Sequence, residues 1–381
     1  MTSIYLDNAA TTKAHPEVID AMMPYFTDLW YNPSSLYNTG VKVKEDISKA
    51  RENIADFIGA DADEIFFTSG GSEGNCWVIQ GFVNYWRKRM RTPVIITSQI
   101  EHKSISECVK SIDVPCKLKI QVDKYGFIDI EDLDNTLSRY DDTFDCKVLV
   151  SIQFANSEIG TIQDIKKISE VVHKHNAVFH TDAVQAFGQI HIDVKDIDVD
   201  VLTASGHKIQ TPKGIGLLYK RKGIFIDPII YGSQEGGMRG STENVPYIIG
   251  FSKAVDIARK YLKCNHTAEN RDVYIKQLEN IGCKLNGSRT SRLPNNINVI
   301  LPNNISGEAM LYLLDISNIY ISTGSACDSK SIVPSRTLLA IGLTYEEANS
   351  CIRITIPNST YDINFDYVLN EIESAIKILS C

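Results

Sequence analysis

Three segments of the sequence combine residue types that bind anions, hold a buried charge or supply an amine. The first, SGGSEG at 69–74, lies between a predicted strand and a predicted helix. Glycines let the backbone approach a ligand closely, and the free N–H groups at a helix start suit a phosphate. The segment matches neither common glycine-rich nucleotide motif. Taken alone, it is equally typical of an ordinary tight turn.

The other two segments follow predicted buried strands. HTDAVQ at 180–185 places Asp182 at a strand end, where a carboxylate needs a cation or hydrogen-bond donors. SGHKIQTPKGIG at 205–216 places Lys208 between a strand end and a glycine-rich turn, where partial desolvation lowers an amine's pKa and favours nucleophilic use. Taken singly, a paired core aspartate and a surface lysine are the commoner readings.

The three segments together fit one cofactor. Pyridoxal phosphate needs a cup for its phosphate, a carboxylate that keeps its ring nitrogen protonated, and an amine that joins its aldehyde. The turn at 69–74, Asp182 and Lys208 supply these three groups. We therefore predict a pyridoxal 5'-phosphate site.

The elements that must position these groups alternate along the chain. Short apolar runs rich in β-branched residues predict buried strands, and helical patterns separate several of them. The predicted strands lie at 64–67, 93–97, 147–152, 177–180, 199–205 and 214–220. This order predicts an α/β fold with a mainly parallel sheet flanked by helices, and ligands gather at the carboxyl ends of such strands.

The pattern changes after about residue 255. A helix is predicted over 252–281, strands over 295–301, 319–323 and 350–356, and a final helix over 366–379. This order predicts a smaller α+β unit. We expect a large cofactor-binding domain at 15–255 and a small domain formed by 1–14 and 256–381, although 252–262 also fits one long helix bridging both.

Composition excludes several classes of protein. The 381 residues carry a formal charge of −8, which disfavours nucleic acid as a direct partner. Nine cysteines occur, at 76, 108, 116, 146, 264, 283, 327, 351 and 381, without the spacing of a zinc site or a disulfide framework. No secretory signal and no membrane-spanning apolar run is present. We expect a cytoplasmic protein with reduced thiols, no metal site and no membrane association.

Nine motifs along the chain indicate a family of pyridoxal phosphate enzymes. They are YLDNAATT (5–12), NPSSLYNTG (32–40), FTSGGSEGN (67–75), EHKSI (101–105), FANSEIGTIQ (154–163), HTDAVQAFG (180–188), SGHKIQTPKGIG (205–216), RGSTENV (239–245) and STGSACDS (322–329). In this order the chain resembles the NifS/IscS-type cysteine desulfurases, which are class V, fold-type I pyridoxal phosphate enzymes. The resemblance covers essentially the whole chain.

The resemblance implies a role for each cofactor-binding residue. Lys208 would join the cofactor aldehyde, Asp182 would pair with the ring nitrogen, Gln185 would bond the ring oxygen, and His102 would stack on the ring. The implied phosphate ligands are Gly71, Ser72, Ser205 and His207, together with Thr242 from a neighbouring subunit. The active unit would then be a homodimer.

The resemblance also implies the substrate and the reaction. Asn156 and Arg353 match the groups that hold the carboxylate of L-cysteine. Cys327, in a stretch of small residues, would take the substrate sulfur as a persulfide and leave L-alanine, with His102 transferring a proton at the substrate thiol. The sulfur would pass to a protein acceptor, either an iron–sulfur scaffold or a tRNA-thiolation partner.

Three other functions remain open from the sequence. A selenocysteine lyase is an alternative within the same fold. A class V aminotransferase or lyase would not need Cys327. A structural partner in an iron–sulfur assembly complex would need none of Lys208, Asp182, His102 and Cys327.

Overall fold

The chain is built around a seven-stranded mixed sheet. A computed structural model describes residues 3–141, 143, 145–264, 266–323, 334–358 and 363–380. The strands are β1 (Ile4–Tyr5), β2 (Ile65–Thr68), β3 (Thr92–Ser98), β4 (Cys116–Ile120), β5 (Cys146–Ser151), β6 (Val178–Asp182), β7 (Val201–Ser205), β8 (Gly216–Lys220), β9 (Lys284–Leu285), β10 (Asn296–Ile300), β11 (Ile319–Tyr320) and β12 (Cys351–Thr355). The α-helices are α1 (Pro16–Met22), α2 (Pro24–Thr27), α3 (Asn38–Phe57), α4 (Gly71–Arg87), α5 (Lys103–Ser111), α6 (Ile130–Leu137), α7 (Ile165–Lys174), α8 (Val245–Tyr261), α9 (His266–Asn280), α10 (Gly307–Ile316), α11 (Arg336–Ala340), α12 (Tyr345–Asn349) and α13 (Phe365–Leu379).

The large sheet has the order β2-β8-β7-β6-β5-β3-β4. Strands β4, β3, β5, β6 and β7 pair in parallel, and β8 runs antiparallel to both β7 and β2. The predicted α/β fold with a mainly parallel sheet is therefore confirmed. Strands β2, β3, β5, β6 and β7 all end at one edge, so the turns that follow them meet there.

Helices cover both faces of this sheet because successive strand residues point to opposite sides. On one face, Trp77 and Phe82 of α4 pack with Ile105 of α5 against alternate residues of the strands. The other face packs against α3, α7 and α8 in the largest apolar cluster. Since both faces are covered, the strands read as continuous apolar runs in the sequence.

A second, smaller cluster lies around the antiparallel sheet β12-β10-β9. Its apolar side chains come from the last third of the chain and from Leu6, because β1 pairs in parallel with β11. The predicted helix over 252–281 is wrong, since α8 ends at Tyr261 and α9 begins at His266. The Cys264 N–H bonds to the Tyr261 carbonyl in a turn, which ends the regular helical ladder.

No α-helix within these described ranges is long and apolar enough to cross a membrane.

Candidate active site

A pocket of about 350 Å³ lies at the carboxyl edge of the large sheet, within the range of small-molecule sites. Most of the site residues expected from the sequence line it, namely Gly71, Ser72, His102, Asn156, Asp182, Gln185, Ser205, His207, Lys208 and Arg353. Thr242 is exposed and lies outside this lining. Cys327 lies outside the described residues. The structure therefore brings together ten residues that are scattered between positions 71 and 353 of the sequence.

The glycine-rich turn forms a cradle with no room for a side chain. Gly71 is the first residue of α4, and a Cβ atom there would lie 2.5 Å from Val184 Cγ2 and 3.7 Å from Ser205 Cβ. Glu73 accepts a hydrogen bond from the Ser69 N–H at 2.8 Å and pairs with Arg239 at 2.9 Å, which fixes the turn. The first N–H groups of α4 therefore face the pocket from a fixed position, as an anion site requires.

Asp182 ends β6 and is almost completely buried. Its two carboxylate oxygens accept hydrogen bonds from Asn75 Nδ2 at 2.7 Å and from the Val184 N–H at 3.0 Å. Uncharged donors thus hold this carboxylate, which is one of the two kinds of partner that the sequence allowed. Because these donors carry no charge, the negative charge of Asp182 can act on a cationic group of a ligand in the pocket.

Lys208 closes the short 3₁₀ turn Gly206–Lys208 that follows β7. Its Nζ donates to the backbone carbonyls of Ala9 and of Ala10, the latter at 2.8 Å. Gln185 Nε2 also donates to the Ala9 carbonyl, at 3.1 Å. The N-terminal segment therefore lies across the pocket and meets the amine of Lys208.

Both pocket histidines have pKa values below the ordinary value. Burial lowers the pKa of His102, and the charge of Lys208 lowers it further against the opposing effect of Asp182. Burial, with Lys208 and Lys213, lowers the pKa of His207 to about 4. His102 Nδ1 accepts the Ser104 N–H at 3.1 Å, so the proton of the neutral ring is on Nε2.

The opposite end of the pocket carries Arg353, from β12. Its Nη2 pairs with Asp7 at 2.7 Å and its Nη1 donates to the Ser157 carbonyl at 3.1 Å. Its buried Nε has no hydrogen-bond partner among the described residues. Asn156 lies beside it, with Oδ1 accepting the N–H groups of Glu158 and Ile159. This end therefore presents a fixed guanidinium to a ligand carboxylate.

Sequence reasoning missed several polar residues of the pocket. Asn75 and Glu101 are the last and first residues of two recognised motifs, yet neither was assigned a role there. Glu101 is buried, accepts the Gln153 N–H at 3.0 Å and bonds the Ser98 hydroxyl. Burial raises the pKa of Glu101 to about 8. Only the position of Glu101 directly before His102 could have pointed to it.

The described cysteines are all free. Cys108, Cys283 and Cys351 are buried, and burial raises the pKa of the last two thiols to about 12. Cys76, on α4, donates to the Ser104 carbonyl at 3.6 Å, and a hydrogen bond from Cys108 lowers its pKa to about 7. Buried cysteines such as Cys108, Cys283 and Cys351 act as small apolar packing residues.

The donor set of the pocket fits pyridoxal phosphate. The Gly71 cradle at the start of α4 can take a phosphate, and the charge of Asp182 suits a protonated ring nitrogen. The buried Asn75 Oδ1, which has no partner among the described residues, adds an acceptor on the same wall. Lys208 supplies the amine, so each part of this cofactor meets a matching group.

Comparison with known proteins agrees with this geometry. The sequence matches the family model described as aminotransferase class-V over residues 4–362. It is 42% identical over 383 residues to cysteine desulfurase IscS of Methanosarcina thermophila, covering 99% of this chain and 93% of that relative. A solved NifS-like protein has a TM-score of 0.90 at 33% identity, with 99% of this chain and 100% of that chain covered. The structure described as SspA in complex with cysteine has a TM-score of 0.80 at 34% identity, with coverage of 94% and 99%. The chain thus belongs to the class-V aminotransferase family, among the cysteine desulfurases of the NifS/IscS type.

Proposed function

We propose that this protein is a pyridoxal phosphate-dependent cysteine desulfurase. It converts L-cysteine to L-alanine and transfers the sulfur through Cys327 to a protein acceptor. The observation that carries this proposal is the placement of Lys208, Asp182 and the Gly71 cradle at one end of a pocket whose other end holds Arg353.

The cofactor is held by the groups at the edge of the large sheet. Gly71, Ser72, Ser205 and His207 bind its phosphate, Asp182 pairs with its ring nitrogen, and Gln185 bonds its ring oxygen. Lys208 attaches it, and His102 lies against its ring. When bound, the cofactor accepts electrons from the substrate Cα and makes the bonds of that carbon labile.

The substrate is oriented by the other end of the pocket. The guanidinium of Arg353 binds the α-carboxylate of L-cysteine, and the side-chain amide of Asn156 adds a hydrogen bond. Lys208 Nζ takes the proton from Cα and returns it during the reaction. Because the His102 ring is neutral with its proton on Nε2, it can exchange a proton with the substrate thiol.

Sulfur transfer is assigned to Cys327 from its place in STGSACDS. Its thiolate attacks the substrate sulfur, so that a sulfur–sulfur bond forms and the Cβ–sulfur bond of the substrate breaks. The electron pair of the broken bond stays on the substrate, and protonation of that carbon gives L-alanine. An acceptor thiolate then takes the outer sulfur of the persulfide, as in an iron–sulfur scaffold or a tRNA-thiolation protein.

The working unit is a homodimer in which Thr242 reaches the partner's cofactor phosphate. An exposed aromatic surface supports this assignment. Trp30 is 67% exposed, and its ring stacks on that of Tyr31 with 4.9 Å between the ring centroids. Phe26 is also exposed and contacts Tyr247 of α8, a helix that begins three residues after Thr242. Large exposed apolar surfaces mark protein interfaces. In sedimentation experiments, the wild type is expected to be a dimer and the Trp30→Asp variant a monomer.

The proposal retains the domain division at residue 255 and a cytoplasmic location. The small apolar cluster draws on Leu6 and on residues from Ile275 onward, which supports a small domain formed by the N-terminal segment and the last third of the chain, while Ile257 and Ala258 at the end of α8 pack in the large cluster. Limited proteolysis tests this division, with first cleavage expected between α8 and α9. The free state of the described cysteines supports a reducing compartment.

The activity is tested by incubating the purified holoenzyme with L-cysteine and dithiothreitol. Equal amounts of alanine and sulfide are expected, and the absence of alanine would contradict the proposal. A class V aminotransferase would instead need a 2-oxo acid and would release no sulfide. Reactions of L-cysteine with and without pyruvate distinguish the two activities. The desulfurase releases sulfide in both reactions, whereas the aminotransferase reacts only with pyruvate and releases none.

A further inference from the structure

A second guanidinium lines the same pocket as Arg353. It belongs to Arg336, the first residue of α11, and the sequence motifs assigned it no role. The two arginines differ in how their charge is used. Arg353 is buried and paired with Asp7, whereas Arg336 is exposed and its Nη2 donates to the uncharged Ser106 hydroxyl at 3.1 Å. Within the described ranges, no carboxylate forms an ion pair with Arg336.

The charge of Arg336 acts on the pocket interior. It contributes to lowering the pKa of His102, and it opposes the effect of burial on the pKa of Glu158. His102 and Glu158 both line the pocket. The guanidinium therefore lies close enough to this wall to attract a negative group on a bound ligand.

The neighbouring carboxyl group, Glu158, is held by partners other than Arg336. Glu158 is half-buried, and desolvation raises its pKa above the ordinary value. Its two oxygens already bond the hydroxyl groups of Ser335 and Thr337, the latter at 3.1 Å. Since Glu158 is occupied by hydroxyl groups, Arg336 keeps its capacity to form a charge-assisted hydrogen bond with a ligand anion.

We propose that Arg336 forms an anion subsite for the side-chain end of an amino acid whose α-carboxylate lies on Arg353. The ligand class is the acidic amino acids, with a carboxylate attached one or two carbons from Cα. This inference rests on the proposed function for the position of the α-carboxylate and adds a second charge that selects the side chain. Acidic amino acids therefore bind in competition with L-cysteine.

L-aspartate and L-asparagine form a matched pair of probes, because they have nearly the same shape and differ in side-chain charge. Their dissociation constants are measured from the change in cofactor absorption when each is added to the holoenzyme. Aspartate should bind about tenfold more tightly than asparagine to the wild type. The Arg336→Gln variant should bring this ratio close to one, and Arg336→Lys should restore part of it.

Lys103 also lines the pocket and provides the control. The Lys103→Gln variant should keep most of the preference for aspartate. Equal binding of both probes to the wild type, or loss of the preference in Lys103→Gln with retention in Arg336→Gln, would overturn the assignment. These titrations need no sulfur transfer, so their outcome is independent of whether L-cysteine yields alanine.

Discussion

The two ends of the pocket are positioned by different kinds of interaction. At the cofactor end, Asp182 ends β6 and Lys208 lies in the short turn after β7, and these neighbouring strands of one sheet place the two residues together. At the substrate end, Arg353 lies on a strand of the smaller sheet and is held by Asp7, which is 346 residues away in the sequence. The first end depends on the regular geometry of the sheet, and the second depends on a long-range ion pair with Asp7 and a hydrogen bond to the Ser157 carbonyl.

This difference determines how each end responds to mutation. Backbone hydrogen bonds of the sheet hold the cofactor end, so substitution of a side chain there removes its chemistry and leaves its neighbours in place. At the substrate end, the carboxylate of Asp7 holds the guanidinium of Arg353. Removing Asp7 should therefore displace Arg353 and weaken substrate binding without touching the ligand itself.

The largest effect is expected for Lys208→Ala. Loss of the amine removes both the covalent attachment of the cofactor and the group that moves the Cα proton, so alanine formation should fall at least ~1000-fold. Borohydride reduction followed by mass spectrometry should find the cofactor on the wild type and not on the variant. Substitution of the exposed Lys213 by alanine is the control and should leave the cofactor attached. Cofactor found on the Lys208→Ala variant would show that another residue is the attachment site.

The ion pair at the substrate end can be tested with Asp7→Asn and Arg353→Gln. Arg353→Gln should raise the KM for L-cysteine about 100-fold, and Asp7→Asn about tenfold, with smaller changes in kcat. The double variant should be no worse than Arg353→Gln alone, because Asp7 acts through the arginine. Asp20→Asn, on the exposed side of α1, is the matched control. An unchanged KM in Asp7→Asn would refute the positioning role.

The cradle at the cofactor end can be tested by adding one methyl group. In Gly71→Ala the new Cβ meets Val184 Cγ2 at 2.5 Å, so cofactor affinity should fall about tenfold and stability by about 1–3 kcal/mol. Equilibrium titration of the apoenzyme with cofactor measures this loss. Combining it with Val184→Ala should restore affinity, and failure of this rescue would mean that the contact with Val184 is not the cause.

The smallest effect concerns the buried Glu101. The pKa of Glu101 is about 8 in the folded protein, whereas the ordinary value of 4.5 applies in the unfolded chain. As the pH rises, the unfolded chain therefore releases this proton before the folded protein does. As the pH rises from 5 to 8, this group should lower the free energy of unfolding by on the order of 3 kcal/mol. Denaturant titrations should show a flatter pH dependence for Glu101→Gln. The exposed Glu131→Gln should keep the wild-type slope, and identical slopes for all three proteins would contradict the raised pKa.

The cofactor end was largely predictable from local sequence patterns, whereas Asn156 and Arg353 of the substrate end were predicted only through the family resemblance. Strand–turn–helix patterns carry local information, so Gly71, Asp182 and Lys208 could be placed at one sheet edge before the structure was known. The pairing of Asp7 with Arg353 depends on the segment after β1 bridging to β12, where Asp7 lies opposite Thr355, and no local pattern encodes this long-range contact. Arg336 was missed for the same reason, since its importance comes from the side chains it faces.

Helix boundaries show the same limit. The apolar pattern continues from α8 into α9, and nothing in the period of the sequence indicates the turn at Cys264. The role of Cys327 comes from its motif, because this residue lies outside the described ranges.

A single-turnover reaction tests the central claim most directly. The holoenzyme is mixed with an equimolar amount of L-cysteine without reductant, and both alanine and the mass of the peptide containing Cys327 are measured. The wild type should yield alanine together with one added sulfur atom on Cys327, and Cys327→Ala should yield neither. Alanine formed by Cys327→Ala at the wild-type rate would contradict transfer of the sulfur through this residue.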